Sequence, residues 1–391
     1  MENESDSGKQ EAEATVRKSA DGRYVDLSKD ILTIHGITSL TEEQMIDLFG
    51  KLRLRYSLTP QCNIWCTFCS NEGSNYTSKT LKSADTNLVI KLSEMLLNNT
   101  PLKSIDFSGG EPTLHPDFVK GEFRIVEWTK TYPKIRFSLH SNAIELNPNL
   151  VDRIKSNFSR IGASINSVIF DTWNKMTNFH GIYPEKAQRK KFDRMMENLE
   201  YIANQNIGHK VFMKSVVMRG FNDSEEELSA FLDACAKYNF HPKFLQFDPQ
   251  YASQKPLQVG RKELFSKLER LGCEFPEDVP KHNDPNTYIP GVNFEFSGAQ
   301  TGLHSIFGCG DKATCLSCYD FLCMFVKPSE DGRGLYLKPC SVLDTKIDLT
   351  RAIERDNTTQ LLGLFKLSRE YLMLAPGMGA QDWHKEKKYE S

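Results

Sequence analysis

Three cysteines stand close together in the segment QCNIWCTFCS, where Cys62, Cys66 and Cys69 have the spacing C-x3-C-x2-C. Iron–sulfur clusters are held by cysteine thiolates, and three such ligands leave one iron of a four-iron cubane without a protein ligand. An open coordination position is what allows a metal to act on a bound molecule. The spacing therefore favours a [4Fe–4S] site. The alternatives are a zinc knuckle without its fourth ligand and unrelated thiols.

A glycine turn, Gly109-Gly110-Glu111-Pro112, comes directly after an apolar run. Two glycines allow the backbone to approach a ligand closely, and the proline fixes the turn. The Glu111 carboxylate can accept a hydrogen bond from an ammonium group. On its own the turn is a weak signal, but after the cysteine segment it indicates a second part of one binding site.

A second group of cysteines lies toward the C-terminus: Cys309, Cys315, Cys318, Cys323 and Cys340. Asp331-Gly332 stands between two β-rich runs and predicts a hairpin. Four thiolates suit either a second iron–sulfur cluster or zinc. The two remaining cysteines differ, because Cys235 falls on the apolar face of a helical pattern and Cys273 follows a helix-ending glycine. Both are interpreted as structural.

Strands and helices must position these residues, and the pattern predicts six strands that alternate with helices. The strands are expected at 52–59, 103–108, 134–140, 159–165, 209–218 and 242–248, with helices that include 84–98 and 224–238. This alternation indicates parallel pairing with right-handed crossovers. Six units form an open, partial barrel or a doubly wound sheet, and ligands bind at the carboxyl ends of the strands in both. The unusual polar and glycine-rich segments all fall at that end.

Composition excludes several classes of protein. The 391 residues carry a net charge of −2, so the totals do not indicate a cationic nucleic-acid surface. The run Lys186–Lys191 is better interpreted as a solvated helix face than as a nucleic-acid site. The longest apolar run, 321–326, is far shorter than the roughly 20 residues of a membrane span. The acidic N-terminus lacks a secretory signal, so we expect a cytoplasmic protein, and residues 1–20 are predicted to be disordered.

The combination of C-x3-C-x2-C with the GGEP turn resembles the radical S-adenosylmethionine (SAM) enzymes, over roughly residues 40–345. The resemblance implies a partial (β/α)6 barrel with a [4Fe–4S] cluster on the loop after the first strand. The amino and carboxylate groups of SAM would chelate the open iron. One electron from the cluster would then cleave SAM to methionine and a 5′-deoxyadenosyl radical, which abstracts hydrogen from a substrate.

The resemblance also implies roles for individual residues. Cys62, Cys66 and Cys69 would ligate the cluster, and Phe68 would lie near the adenine. The turn residues Gly109, Gly110 and Glu111 would meet the methionyl ammonium. The remaining expected cofactor contacts are Asn142, Ser164, Asn166, Lys214 and Met218. Strand-end packing is the alternative interpretation for Asn142, Ser164, Asn166 and Met218.

The segments MIDLFGKLRLRYSLTPQCN and VVMRGFND are similar to the GTP cyclase family of molybdopterin synthesis. That similarity places Arg55 where the family has an arginine for its anionic substrate, and a surface strand arginine is the alternative. It also implies a C-terminal, twitch-like (SPASM-like) domain whose second cluster, expected to be [4Fe–4S], is bound by Cys315, Cys318, Cys323 and Cys340. Cys309 would then be spare, and we expect it to donate a proton or a hydrogen atom. The domains expected are a barrel over 21–285, a cluster domain over 286–345 and a C-terminal helical tail over 346–391.

Several departures from the cyclase family affect its nucleotide-binding half. Tyr319-Asp320 and Met324-Phe325 stand where the family has arginines, and the chain ends in KEKKYES rather than Gly-Gly. His115 replaces an arginine after the glycine turn. Phe212 replaces a lysine on the fifth strand, although Lys214 falls on the same face. The sequence therefore predicts a substrate other than GTP.

The leading hypothesis is a radical SAM enzyme that acts on a small nucleotide- or sugar-type metabolite and receives electrons from a donor such as flavodoxin or ferredoxin. A peptide substrate is the alternative. It is less expected because only about 50 residues precede the first strand, whereas a leader-binding domain has about 80. A hypothesis of another class is a non-catalytic metal-binding module on the same scaffold.

Overall fold

The structure is a computed structural model, which describes residues 40–69, 82–119, 122–247, 249, 252–274, 292–296, 299–304, 323–338 and 346–374. The predicted disorder of residues 1–20 therefore lies outside the described residues.

Strands and helices alternate along the described chain, as the pattern predicts. The first part contains α1 Glu42–Phe49, β1 Arg53–Ser57, α2 Thr86–Asn99, β2 Ser104–Ser108, α3 Pro116–Val119, α4 Arg124–Thr129, β3 Arg136–Ser141, α5 Pro148–Ile154, β4 Phe158–Ser164, α6 Phe170–Thr177, α7 Glu185–Asn204, β5 Val211–Val217, α8 Glu225–Tyr238, β6 His241–Gln246 and α9 Arg261–Arg270. The later part contains β7 Val292–Phe296, β8 Ala299–His304, β9 Cys323–Pro328, β10 Leu335–Lys338, β11 Ile347–Asp348, α10 Thr350–Glu354 and α11 Thr358–Leu374. The six predicted strands are confirmed, with each end within about two residues of its predicted position.

Local sequence explains where the long helices begin. The Asp85 side chain accepts hydrogen bonds from the backbone at the start of α2. The Ser224 side chain does the same for α8, whose first turn carries three glutamates. Capping side chains satisfy backbone N–H groups that have no partner within the helix, and acidic residues there complement the helix dipole.

The sheet has the topology of a partial barrel. Strands β1 to β6 pair in sequence order and all in parallel. This confirms the α/β fold class and the partial (β/α)6 barrel. At one edge β8 pairs with β6, and at the other edge β9 pairs in parallel with β1. The full sheet of 11 strands has the order β11-β10-β9-β1-β2-β3-β4-β5-β6-β8-β7.

Alternation along each strand separates two environments. On β1, Leu54 and Tyr56 are buried, and the Tyr56 hydroxyl lies 2.8 Å from Ser93 Oγ of α2. This apolar side therefore faces the surrounding helices, where the core lies. Arg53 and Arg55 point to the opposite side, because successive strand residues alternate in direction. We call that side of β1–β6 the lumen.

The predicted C-terminal hairpin is also confirmed. Strands β9 and β10 pair antiparallel, and the connecting turn contains Asp331 and Gly332, which has φ +74°. The sheet runs without interruption from β1 into this hairpin, so the predicted barrel and cluster domains share backbone hydrogen bonds. The described part of the predicted helical tail contains α10 and α11, and α11 buries Leu361 and Phe365.

Two expectations about surface properties can be compared with the described residues. No helix among them is both long enough and apolar enough to cross a membrane. The basic run Lys186–Lys191 lies on α7, where four of its six residues are exposed or half-buried cations.

Cys235 and Cys273 are buried in the core, which confirms their structural interpretation.

Candidate functional site

The cysteine loop after β1 is held by backbone hydrogen bonds to the end of α6. Trp65 N donates to Thr177 O, and Thr67 N donates to Met176 O, both at 2.9 Å. Phe179 N returns a bond to Trp65 O at 2.9 Å. These hydrogen bonds give the loop that carries the three cysteines a defined position against α6.

The thiols of this loop lie in one low-dielectric environment. Burial raises the pKa of Cys62 to about 12, with a further contribution from the nearby Glu111 carboxylate. Burial, then the neighbouring Cys62 and Cys69, raises the pKa of Cys66 well above its usual value. Asn142 Nδ2 lies 3.9 Å from Cys62 Sγ and provides an N–H···S contact. Thiolates in such a site need a strongly positive partner, which a metal cluster supplies on binding.

The donor set fits an iron–sulfur cubane better than a single zinc ion. Within the described ranges, no three His, Cys, Asp or Glu side chains converge on one point as a single ion requires. Zinc bonds sulfur at about 2.3 Å in a tetrahedron, so its ligands must converge closely. A cubane distributes three thiolates over three different irons, so its ligands stand further apart. This difference favours iron–sulfur over zinc, and ligation of a [4Fe–4S] cluster by Cys62, Cys66 and Cys69 stays a prediction.

The glycine turn packs against the start of the cysteine loop. Gly110 N donates to Thr59 O, and Glu111 N donates to Gln61 O, both at 2.7 Å. A Cβ on Gly109 would lie 2.5 Å from Thr59 O, and one on Gly110 would collide with Gln61 O. The sequence predicts a close approach to a ligand. The structure shows a close approach to the chain's own backbone, which requires glycine for the same steric reason.

Glu111 is buried and lies at the centre of a hydrogen-bond network. Its Oε1 accepts from Thr113 N, Thr113 Oγ1 and Ser141 Oγ at 3.1, 2.6 and 2.8 Å. Its Oε2 accepts from Asn142 N at 2.7 Å. Burial raises the pKa of Glu111, and these hydrogen bonds oppose the rise. The carboxylate thus joins the ends of β2 and β3, and its expected contact with an ammonium group stays a prediction.

The residues expected beside an adenine lie in one apolar cluster. Met218 is buried with Met176 and Phe247, and the half-buried Phe68 packs against them. Thr67 Oγ1 lies 3.9 Å from Met218 Sδ. The fold therefore brings Phe68 of the cysteine loop to Met218 after β5, and their expected contact with an adenine stays a prediction.

The other strand-end residues have contacts within the chain. Asn142 Nδ2 donates to Asn63 Oδ1 at 2.6 Å, next to Cys62. Asn166 has φ +69°, and its Oδ1 accepts from Val216 N at 3.1 Å. Ser164 is half-buried at the end of β4, paired with Lys214 of β5. Asn166 thus joins β4 to β5, which agrees with the packing interpretation, whereas Asn142 lies directly at the cysteine loop.

Basic side chains and one acidic side chain line the lumen, below the carboxyl ends of the strands where the cysteine loop lies. Arg53 and Arg55 contact Asp106 Oδ2 at 2.8 and 3.2 Å, and His140 Nε2 contacts the same atom at 3.3 Å. Lys214 Nζ lies 2.5 Å from His140 Nδ1. Burial, the largest influence, raises the pKa of Asp106. His140, Arg55 and Arg53 outweigh it and hold that pKa well below its usual range. Arg55 therefore faces the lumen and is not a surface strand arginine.

Sequence reasoning missed most of this lining. No functional role is predicted from the sequence for five of these residues, although each falls on the lumen face of a predicted strand: Arg53, Asp106, His140, Arg160 and Lys243. The signal that can identify them is the alternation of polar and apolar residues along these strands. A partial barrel whose inner face is polar has room for a ligand rather than a packed interior.

The second group of cysteines is described only at Cys323, the first residue of β9. In register, Cys323 lies opposite Arg53, at the N-terminal end of β1 and away from the cysteine loop. Arg55 lies over the Phe325 ring, with 5.4 Å from its Cζ to the ring centre. Cys309, Cys315, Cys318 and Cys340 lie outside the described residues.

Comparison with known proteins agrees with this geometry. Residues 56–232 match the family model of the radical SAM superfamily. A protein from Pyrococcus abyssi named "Probable GTP 3′,8-cyclase" is 26% identical over 343 residues, which cover 85% of this chain and 99% of that protein. A GTP 3′,8-cyclase from Trichodesmium erythraeum is 24% identical, over 80% of this chain and 90% of that protein. The solved structure of Streptococcus suis SuiB bound to the precursor peptide SuiA superposes with a TM-score of 0.52 at 15% identity, over 87% of this chain and 69% of that one, and indicates a shared fold.

Proposed function

We propose, from the match of residues 56–232 to the radical SAM superfamily, that this chain is a radical SAM enzyme that abstracts hydrogen from a small anionic metabolite other than GTP. The observation that carries this proposal is the basic lumen directly below the cysteine loop. Substrates of partial barrels bind at the carboxyl ends of the strands and in the space that they enclose. A lumen lined with arginine and lysine recognises negative charge.

The chain's own residues would hold and shield the cofactors. A [4Fe–4S] cluster on Cys62, Cys66 and Cys69, with SAM at its open iron, supplies one-electron cleavage of SAM to a radical. Phe68 and Met218 form an apolar wall that keeps water from this edge. We propose that Gly109, Gly110 and Glu111 hold the methionyl end of SAM, with Asn142 next to Cys62 orienting the cluster.

A second cluster on the C-terminal hairpin is also part of the proposal. Cys323 begins β9, and Lys338 of β10 pairs with Phe325, so β10 runs back toward Cys323. Cys340 comes two residues after Lys338 in the sequence. These positions support a cluster bound by Cys315, Cys318, Cys323 and Cys340 near the N-terminal end of the lumen. Cys309 would remain available to donate a proton or a hydrogen atom.

GTP cyclisation is the second candidate, because it is the activity in the names of the similar proteins. The family's arginine position after the glycine turn is His115, which is buried with Nε2 2.9 Å from Ala84 O. The family's lysine position is Phe212, whose ring lies under the Arg160 guanidinium at 4.1 Å. Neither residue offers a cation to a triphosphate, so the geometry favours a different anion.

Anaerobic reconstitution with iron and sulfide, followed by dithionite and SAM, tests the proposal. We expect release of 5′-deoxyadenosine by the wild type and its loss in Cys66→Ala. The matched control is Cys235→Ala, which removes a core thiol far from the loop in sequence and should keep the activity. Deuterium transfer from labelled candidates into 5′-deoxyadenosine then identifies the substrate.

The outcomes separate the candidates. Deuterium transfer from labelled GTP would establish the cyclase activity instead. A fully reconstituted protein that leaves SAM intact would support the non-catalytic metal-binding module. Transfer from a labelled peptide, but from no small anion, would overturn the choice of substrate class.

A further inference from the structure

Cations from three neighbouring strands meet in the middle of the lumen. Lys214 of β5 pairs in register with Lys243 of β6. The charge of Arg160 on β4 acts on both lysines. We call His140, Arg160, Lys214 and Lys243 the lumen floor. Arg160, Lys214 and Lys243 lie in the middle part of their strands, and His140 lies near the carboxyl end of β3.

Charge in the lumen is unevenly distributed. The charged groups that act on His140 or Lys214 are Arg55 of β1, Asp106 of β2, Arg160 of β4 and Lys243 of β6, besides each other. Arg53 of β1 and Arg136 of β3 act on Arg160. In the described part of the chain, Asp106 is the acid that contacts this group, on the side of β1 to β3. Buried like charges repel, so the floor is stabilised either by releasing protons or by binding an anion.

A glycine makes the closest contact of the floor possible. Gly162 of β4 pairs in register with His140 of β3, and Lys214 of β5 pairs with Ser164, two residues after Gly162 on the same face. A Cβ at Gly162 would lie 2.6 Å from His140 Nδ1 and would collide with Lys214 Nζ. The distance of 2.5 Å between Lys214 Nζ and His140 Nδ1 means that the two nitrogens share a hydrogen bond and cannot both carry a proton on that line.

The same groups release protons easily. Burial, followed by Lys243 and Arg55, lowers the pKa of Lys214 well below its usual value. Burial, followed by Lys214 and Arg55, lowers the pKa of His140. Burial, followed by Arg160, lowers the pKa of Lys243 to about 7. Near neutral pH the floor therefore carries fewer protons than its basic groups can hold, and a bound anion would raise these pKa values again.

We propose that the lumen floor binds a phosphate group of the substrate and takes up a proton when that group binds. The inference rests on the proposed function, since it names the substrate class of the same lumen. A tetrahedral oxyanion directs its oxygens to several sides, which suits cations that arrive from three strands. A planar carboxylate would reach fewer of them.

Calorimetric titration of reconstituted holoenzyme without SAM tests the proposal. Sulfate is the probe for proton uptake, because it is a tetrahedral dianion that does not itself titrate near neutral pH. Titrations at pH 7.5 in HEPES and in Tris differ in buffer ionisation heat. We expect binding whose heat depends on the buffer in the direction of proton uptake by the protein.

Variants separate charge from packing. Lys214→Gln should weaken sulfate binding by about tenfold or more, because a charge-assisted hydrogen bond is lost. Gly162→Ala should also weaken sulfate binding, because its Cβ would displace both Lys214 Nζ and His140 Nδ1 from their places in the floor. The matched controls are Lys237→Gln on the exposed side of α8 and Gly260→Ala, where a Cβ has open space. Both should bind as the wild type does.

The source of the phosphate group is identified by comparing inorganic phosphate, ribose 5-phosphate and ribose. Tighter binding of the sugar phosphate than of inorganic phosphate supports a substrate group. Equal affinity assigns the site to free phosphate and overturns the link to substrate. Equal sulfate binding by wild type and Lys214→Gln, or heats that do not depend on the buffer, overturns the site. Release of 5′-deoxyadenosine by the same preparation tests the proposed function separately.

Discussion

The Asp106 carboxylate compensates the positive charge of the basic residues in the lumen. Its side chain is 0% exposed, and Oδ2 contacts Arg53, Arg55 and His140. The neighbouring basic groups hold the pKa of this buried carboxylate well below its usual range, and its removal would leave buried basic groups without compensation. The partial exposure of Arg53 and Arg55 reduces this cost through solvent screening.

Asp106→Asn should lower the free energy of unfolding at pH 7 by about 2–4 kcal/mol, measured by urea denaturation. The exposed Asp193→Asn on α7 is the control and should change it little. The sign of the pH dependence follows from the lowered pKa of Asp106. Its contribution is present above the unfolded value of 3.8 and is lost as the pH falls below it. An Asn variant with wild-type stability at pH 7 would contradict this account.

At the scale of elements, the glycine turn and the cysteine loop form one unit. Backbone bonds from Gly110 and Glu111 hold residues 59–61, and Glu111 holds the end of β3. The loop is fixed on its other side by residues 176–179, at the end of α6 and directly after it. A displacement of the turn should therefore move the cysteines, although no side chain of the turn ligates metal in our proposal.

Gly110→Ala should reduce the iron bound at the cysteine loop. Its Cβ would collide with Gln61 O and displace the segment that leads from β1 to Cys62. We expect a loss of about 1–3 kcal/mol in stability as well, which is typical of overpacking. Iron content and thermal unfolding of reconstituted protein measure the two effects. Gly260→Ala should retain full iron content. A Gly110→Ala protein that loses stability but keeps all its iron would show that the turn does not position the loop.

For the whole molecule, the sheet places the lumen between the cysteine loop and Cys323. The loop with Cys62 lies after the carboxyl end of β1, whereas Cys323 lies opposite Arg53 at its N-terminal end. Strand β9 continues the sheet directly from β1, so the hairpin is held against the barrel by a full ladder. The proposed second cluster would therefore face the end of the lumen opposite the proposed SAM site.

Two clusters predict about eight iron atoms per reconstituted chain. Cys323→Ala should reduce the count to about four and leave SAM cleavage at the first site in place. Cys273→Ala, which removes a buried core thiol, is the control and should keep about eight. Iron, sulfide and zinc analysis of the three proteins gives the result. Four irons with one zinc in the wild type would establish zinc on the C-terminal hairpin.

The sequence alone determined the features that depend on neighbours along the chain. The cysteine spacing is read directly from the sequence. Local conformational preferences and the period of apolar residues predict the glycine turn, the six strands and the Asp331-Gly332 hairpin. The tertiary structure decided the rest. Arg160, Lys214 and Lys243 meet only because β4, β5 and β6 pair side by side, and His140 reaches Lys214 only because Gly162 stands between them. Contacts across strands join residues far apart in the chain, so local preferences carry no information about which charges will face each other in the lumen.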